Sequence, residues 1–351
     1  MITAIALVSC FLTALILTPL VKKLAFLIGA TDNPNDRKVH TGEMARLGGL
    51  AIYVSFILGL FILKPENEYL PFIFAGGTLV FLIGALDDIK EQSAKVKLIA
   101  QLAAAIIVIV GGVQLEFINL PFGGVLELGF LSIPITLLWI IGITNAINLI
   151  DGLDGLSAGV SAIVLATISA LSIVQGDIFI VAMAIALLGG TLGFLVHNFH
   201  PAKLFMGDSG ALFLGFMIAV IALLGFKNVT VFSLIVPLLI LAVPISDTLF
   251  AIIRRALQKQ SFSTPDKSHL HHCLLRLGYS HRQTVLIIYL ISAICSVAAV
   301  VFTLSTLWVS IVALLVMIIA IEILAESVGL VSNSYKPFLR FLKKISGGTK
   351  E

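Results

Sequence analysis

The chain has 351 residues, 59% hydrophobic and only 12% charged, with a mean hydropathy of +1.12. Soluble domains carry roughly 25% charged residues, so an aqueous globular fold is excluded and a bilayer is the expected solvent. A net charge of +3 gives no argument for a nucleic-acid partner, and three scattered cysteines, Cys10, Cys273 and Cys295, offer neither a disulfide framework nor a paired metal motif and read as packing residues.

Hydrocarbon about 30 Å thick takes roughly 20 apolar residues of helix. The first such run, 2 to 21, has no basic residue before it and Lys22 and Lys23 after it, opposite to a secretory signal, and reads as a retained span. Ten more follow near 47–63, 70–86, 98–115, 130–147, 156–174, 178–196, 209–226, 229–253, 284–303 and 306–325. With the first terminus placed outside, 20 of the 22 Lys and Arg residues fall in inside connections or the tail, and only Lys64 and Lys227 lie outside. The prediction is therefore an all-α polytopic membrane protein with about eleven transmembrane helices, the N-terminus outside and the C-terminus cytoplasmic.

That topology rests on Lys and Arg alone, yet every unusual polar cluster then falls on the inner side. The first lies within 32–49 and ends Arg46-Leu47-Gly48-Gly49. The second, Asp87-Asp88, puts two adjacent carboxylates at the inner end of the third span; it reads as a solvated helix end or as a pair that a hard divalent cation compensates. The third runs from Asn148 through Asp151 and Gly152 to Asp154 and Gly155, with oxygen ligands at every third position and glycines that admit close backbone approach; Asp154 alone also reads as a cap of the sixth span. The fourth runs from Asn198 to Asp208, with Asp208 placed to cap the next helix or to serve a ligand, and Phe205 an interfacial ring or a stacking platform for a base. The fifth, Asp266 to His272, packs His269, His271 and His272 at a spacing that fits no common structural zinc site, so phosphate contact is the preferred reading. Asp247, just inside the ninth span, is an intramembrane acid and either functional or a partner of Arg254 or Arg255. The sixth and eighth spans begin on the inner side, where their free amides would meet an anion.

Taken in order, the five motifs resemble those of the polyprenyl-phosphate N-acetylhexosamine-1-phosphate transferase family (glycosyltransferase family 4), over nearly the whole chain. The resemblance implies one transmembrane catalytic domain over 1–326, with active-site loops facing the cytoplasm, and a basic cytoplasmic tail over 327–351. It implies catalytic roles for Asp87, Asp88, Asp151 and Asp208, with Asp208, Asp88 and Asp151 as ligands of Mg2+ or Mn2+. It implies further that Asn148 and Asp154 bind near the diphosphate and nucleotide, that Asn198, Phe205 and Gly207 hold uridine, that His269, His271 and His272 contact phosphate or sugar, and that Arg46 binds substrate. His-Leu-His-His at 269–272, with Asp247-Thr248 and Arg254-Arg255, resembles the branch that uses UDP-N-acetylglucosamine and undecaprenyl phosphate, in particular its teichoic-acid-initiating members, and a homodimer is implied. The expected reaction is in-line attack of the lipid phosphate on the β-phosphorus with release of UMP, Asp87 removing any residual proton; a covalent aspartyl-phosphate through Asp87 or Asp88 is the other route. The alternatives weighed are the phospho-muramoyl-pentapeptide transferase branch, a secondary transporter, whose site would lie near the bilayer midplane, and an intramembrane metalloprotease, for which the His-Glu-x-x-His motif is missing.

Overall fold

The computed structural model describes residues 1–32, 42–119, 124–226, 235–257, 268–330 and 336–338. Among the described residues the chain is all-α apart from two small antiparallel strand pairs. Its elements are α1 (Ile2–Ile28), β1 (Thr31–Asp32), β2 (Met44–Ala45), α2 (Gly49–Leu63), α3 (Leu70–Ile89), α4 (Ala94–Val110), β3 (Phe117–Asn119), β4 (Val125–Glu127), α5 (Ser132–Leu149), α6 (Leu156–Gln175), α7 (Ile178–Asn198), α8 (Gly207–Phe226), α9 (Ile235–Ile240), α10 (Ala242–Leu257), α11 (Leu270–Arg276), α12 (His281–Leu304) and α13 (Leu307–Val328). β1 pairs with β2 and β3 with β4.

Among the described residues eight helices are long and apolar enough to cross a membrane, so the protein is a multi-pass membrane protein. The count differs from the expected eleven for local reasons. α2 is only 15 residues long and α4 only 17, with Lys95 and Lys97 in its first turn. The run at 229–253 is not one helix: α9 and α10 meet at Leu241, because Pro244 has no N–H to offer the carbonyl of Ile240. Residues 229–234 of that run, Lys227, Asp266, and 331–335 and 339–351 of the tail lie outside the described residues.

α8 is the axis of the bundle. Its membrane-length window is wholly buried, and α2, α3, α5, α6 and α7 surround it. Inside a bilayer, helices gain little from hiding apolar surface, so close packing over small residues must hold them together. Gly49 shows this directly: a Cβ there would lie 2.1 Å from the Gly210 nitrogen, so α2 and α8 cross backbone to backbone. On the outside the pattern inverts. Large apolar residues such as Ile16 on α1, Leu290 on α12 and Trp308 on α13 are exposed, as lipid contact requires.

Up-and-down connectivity brings the C-terminal ends of α1, α3, α5, α7 and α10 and the N-terminal ends of α2, α4, α6, α8 and α12 to one end of the bundle. The β3–β4 pair lies in the α4–α5 connection at the other end.

Candidate active site

At the first end, Asp87 and Asp88 occupy the last turn of α3, and Lys97 occupies the first turn of α4. Both placements oppose the helix dipole, which favours cations at C-termini and anions at N-termini. Each is compensated by the others and by α8. Asp88 accepts from the Asp208 and Ser209 amides at 2.8 and 3.1 Å, so its two oxygens cap the N-terminus of α8 from another helix. Gly207 makes this possible: its φ is +72° and a Cβ would lie 2.3 Å from the Asp88 carboxylate. Asp208 therefore does not cap α8, and its carboxylate is left for other partners.

Those partners are cations. Arg46 Nη2 donates to Asp208 Oδ1 at 2.9 Å and to Asp87 Oδ2 at 3.2 Å, and its Nε lies 3.2 Å from Asp88 Oδ1. Lys97 Nζ lies 2.7 Å from Asp208 Oδ2 and 3.3 Å from Asp87 Oδ1, and Asp87 Oδ1 also accepts from the Gln92 amide. Burial works against the charge on Arg46, yet Asp88, Asp208 and Asp87 hold its pKa above the ordinary guanidinium value. Main-chain bonds fix Arg46 as well. It is bridged to Phe205, whose N–H donates to Ala45 O and whose carbonyl accepts from Gly48.

Next to this cluster opens a cavity of about 690 Å³, lined by Arg46, Asn148, Asp151, Gly152, Asp154, Asn198, Phe205, Gly207, Asp208 and His272, and also by Asp32, Met44, Glu91, His200 and His281. Asp151 sits in the turn after α5, where burial, reinforced by Asp208, pushes its pKa up to about 7. Asp154 is not the cap of α6, whose N-cap is Gly155. Its Oδ2 instead accepts from the Ala202 amide at 3.1 Å and lies 2.8 Å from His200 Nδ1, while its own N–H donates to His281 Nε2 at 3.0 Å. Asn198 staples the same loops together, accepting from Gly155 N and donating to Leu204 O.

The histidine cluster divides. His272 lines the cavity, whereas His269 and His271 are buried. His269 Nδ1 lies 3.0 Å from Asp247 Oδ2, and Asp247 Oδ1 accepts from Leu270 N, so Asp247 anchors the start of α11; Arg254 donates to Leu330 O. His271 packs on Gly152, where an added Cβ would lie 2.5 Å from its Nε2, and burial together with His272 holds its pKa down to about 3.

All five motifs thus reach one end of the bundle. Nine of the thirteen expected site residues line the cavity, Asp87 and Asp88 stand behind Arg46, and His269 and His271 support the wall. Lys97, His200 and His281 were not singled out from sequence. Lys97 carried a readable signal, being a lysine on the unfavourable end of a helix.

Residues 70–226, α3 through α8, match the family model described as Glycosyl transferase family 4. Over 344 residues, 97% of this chain and 96% of the relative, the chain is 48% identical to a Bacillus subtilis (strain 168) protein named "Probable undecaprenyl-phosphate N-acetylglucosaminyl 1-phosphate transferase". The chain belongs to glycosyl transferase family 4. It is also 36% identical over 305 residues (78% of the chain, 77% of the relative) to a decaprenyl-phosphate N-acetylglucosaminephosphotransferase of Mycobacterium leprae (strain TN). Identity is 31% over 301 residues (82% and 80%) to an undecaprenyl-phosphate alpha-N-acetylglucosaminyl 1-phosphate transferase of Escherichia coli (strain K12). The family 4 match contains Asp87, Asp88, Asp151, Asp154 and Asp208, while Asp32, Arg46 and the histidines of α11 and α12 lie outside it.

Proposed function

We propose that the chain transfers N-acetylglucosamine-1-phosphate from UDP-N-acetylglucosamine to undecaprenyl phosphate, yielding undecaprenyl-diphospho-N-acetylglucosamine and UMP, as the first membrane step toward teichoic acid or a related surface polymer. One observation carries the reading: four carboxylates and two cations from α3, α4, α8, the turn after α5 and the segment before α2 meet beside one cavity of about 690 Å³ at one end of a membrane bundle. Near-full-length similarity to a relative named for this acceptor and sugar phosphate supports it. The distribution of Lys and Arg supports eleven spans in the plasma membrane, an outside N-terminus and a cytoplasmic cavity. A soluble nucleotide sugar and a lipid-anchored acceptor both require a site at that boundary.

A divalent cation fits the residues present. Asp87, Asp88, Asp151 and Asp208 face Arg46 and Lys97, which leaves a deficit of two positive charges when all four acids are ionised. Oxygen donors of this kind suit Mg2+ or Mn2+. Asp208 and Asp151 reach the cavity and would hold the ion, with Asp88, whose carboxylate caps α8 and lies within 4.8 Å of those of Asp87 and Asp208, as the further ligand behind them. Such an ion, when bound, neutralises diphosphate oxygens and the charge that develops on the leaving UMP.

The chain's own residues do the rest by alignment and charge, which phosphoryl transfer between two polyanions needs more than a strong nucleophile. Arg46 lines the cavity and presents fixed positive charge to the diphosphate. Lys97 holds Asp208 and Asp87 in register through ion pairs, and Asp87, behind Arg46, orients that guanidinium, the lipid phosphate being already ionised at neutral pH. A lipid-phosphate oxygen then bonds to the β-phosphorus as the bridging oxygen departs with UMP. Direct displacement inverts configuration at that phosphorus; retention in a chirally labelled donor would replace it with a covalent aspartyl-phosphate route.

The test is purified protein in detergent with radiolabelled UDP-N-acetylglucosamine, undecaprenyl phosphate and Mg2+. Label should move to the lipid with equimolar UMP and stop on adding EDTA. Transfer from the muramoyl-pentapeptide nucleotide instead would reassign the donor, and vesicle uptake of substrate without UMP would replace the enzyme by a transporter.

A further inference from the structure

Apart from the carboxylate cluster, the cavity wall carries a second constellation of different donor chemistry. Asp154, His200 and His281 come from the α5–α6 turn, the α7–α8 loop and the first residue of α12, and each offers a ligand atom within 4.8 Å of the other two. Asp154 Oδ2 lies 2.8 Å from His200 Nδ1 and 4.0 Å from His281 Nε2. The two imidazoles stack at 4.2 Å between centroids, with an angle of 21° between planes. We propose that Asp154, His200 and His281 form a second metal site, selective for transition ions of the zinc class, and that such an ion blocks the cavity against the nucleotide sugar.

Three features argue for a site and not for a chance meeting of polar groups. The first is donor type. Two imidazoles and one carboxylate suit Zn2+, Co2+ or Ni2+, whereas an all-carboxylate set suits Mg2+, so the two ends of the cavity discriminate between ion classes. The second is the tautomer. The Asp154 amide donates to His281 Nε2, so the ring proton sits on Nδ1, the tautomer that a metal at Nε2 requires, and the ion takes the place of that amide on the Nε2 lone pair. His200 must move its proton from Nδ1 to Nε2 to ligate, with no net proton change. The third is anchoring of the backbone. The Ala202 amide ties the α7–α8 loop to Asp154, and a capping box between Ser280 and Gln283 sets the first turn of α12, so the three ligands are held near one another without an ion. Three protein ligands leave coordination positions open toward the cavity, as in reactive or inhibitor-sensitive zinc sites.

Binding by this site is independent of the transferase reading; only its inhibitory effect rests on that reading. The experiment is titration of the detergent-purified protein with Co2+ in excess Mg2+, followed by visible absorption. One equivalent of Co2+ should bind and produce a ligand-field band. His200→Gln and His281→Gln should each weaken binding about 10-fold or more, as loss of one of three ligands implies, with Asp208→Ala leaving the band in place; near-unchanged melting temperatures would show the variants folded. In the transfer assay, Zn2+ should inhibit competitively with UDP-N-acetylglucosamine. No band, a band untouched by both histidine substitutions, or a band lost in Asp208→Ala overturns the site. A band in a protein that transfers no sugar phosphate leaves the site standing and removes the transferase reading instead. A band without Zn2+ inhibition of an active transferase overturns the blocking role.

Discussion

The two ends of the cavity are built by opposite strategies. The carboxylate end places charges where their own helices disfavour them, Asp87 and Asp88 at the C-terminus of α3 and Lys97 at the N-terminus of α4, and satisfies them only across the bundle. The imidazole end sets one carboxylate and two imidazoles on loops and a helix start, where the Ser280–Gln283 capping box satisfies local preference. The first end is thus held by long-range electrostatics and should fail abruptly when one member is removed. The second is held by several separate hydrogen bonds that join Asp154 to Ala202, His200 and His281 and should degrade gradually.

The largest effect should come from Asp208→Ala, which removes the one carboxylate that both reaches the cavity and binds Arg46 and Lys97. Arg46 keeps Asp87 and Asp88, and Lys97 keeps Asp87, so the fold should hold while transfer falls by roughly 10³-fold in a protein that still inserts into the membrane; a near-normal rate would remove Asp208 from the machinery. Gly207→Ala comes next. It forces a side chain into positive φ, at about 1–2 kcal/mol, and a methyl group into the Asp88 carboxylate, so UMP release should drop about 100-fold. Asp88→Asn tests the same contact more gently: the amide retains one acceptor for the α8 amides, and the expected cost is about 1–3 kcal/mol in thermal stability, with a raised requirement for Mg2+. If Asp88→Asn melted like the parent and needed no more Mg2+, the cross-helix cap would carry no weight.

Smaller effects concern pH. Asp151 is raised to about 7 by burial and Asp208, so below that value it holds a proton and above it offers a carboxylate. Divalent-ion affinity should therefore rise with pH between about 6 and 8, and Asp151→Asn should flatten the rise; calorimetry at several pH values measures both. The smallest effect is expected for His271→Gln. Burial and His272 keep His271 near 3, hence neutral throughout the working range, and the pH profile should keep its shape. Loss of an inflection near pH 6 in that variant would show that His271 titrates in the active protein.

Much of this was legible in the residues. Eight of the eleven expected spans, the meeting of the five motifs at one end of the bundle and the cavity-lining set from Asn148 to Asp208 followed from apolar run length, Lys and Arg placement and the rarity of acids in such a chain. What sequence could not resolve was which oxygen faces what. Asp88 and Asp208 look alike as helix-end acids, and only the crossing of α3 and α8 makes one the cap and frees the other. For Asp247 the sequence offers a functional acid or a partner of Arg254 or Arg255; the structure sets its carboxylate on His269 and Leu270 at the start of α11, a contact between residues 22 and 23 positions apart that no local pattern signals. The break at Leu241 was visible in principle, since Pro244 stands inside an otherwise unbroken apolar run.

The most direct test of the central claim, that the carboxylate end binds the divalent ion on which transfer depends, is Mn2+ titration by electron paramagnetic resonance alongside UMP release. The wild type should bind Mn2+ with an affinity that matches its half-activating concentration, and Asp208→Ala should lose both together. Tight Mn2+ binding retained by Asp208→Ala, or transfer that persists in EDTA, would contradict it.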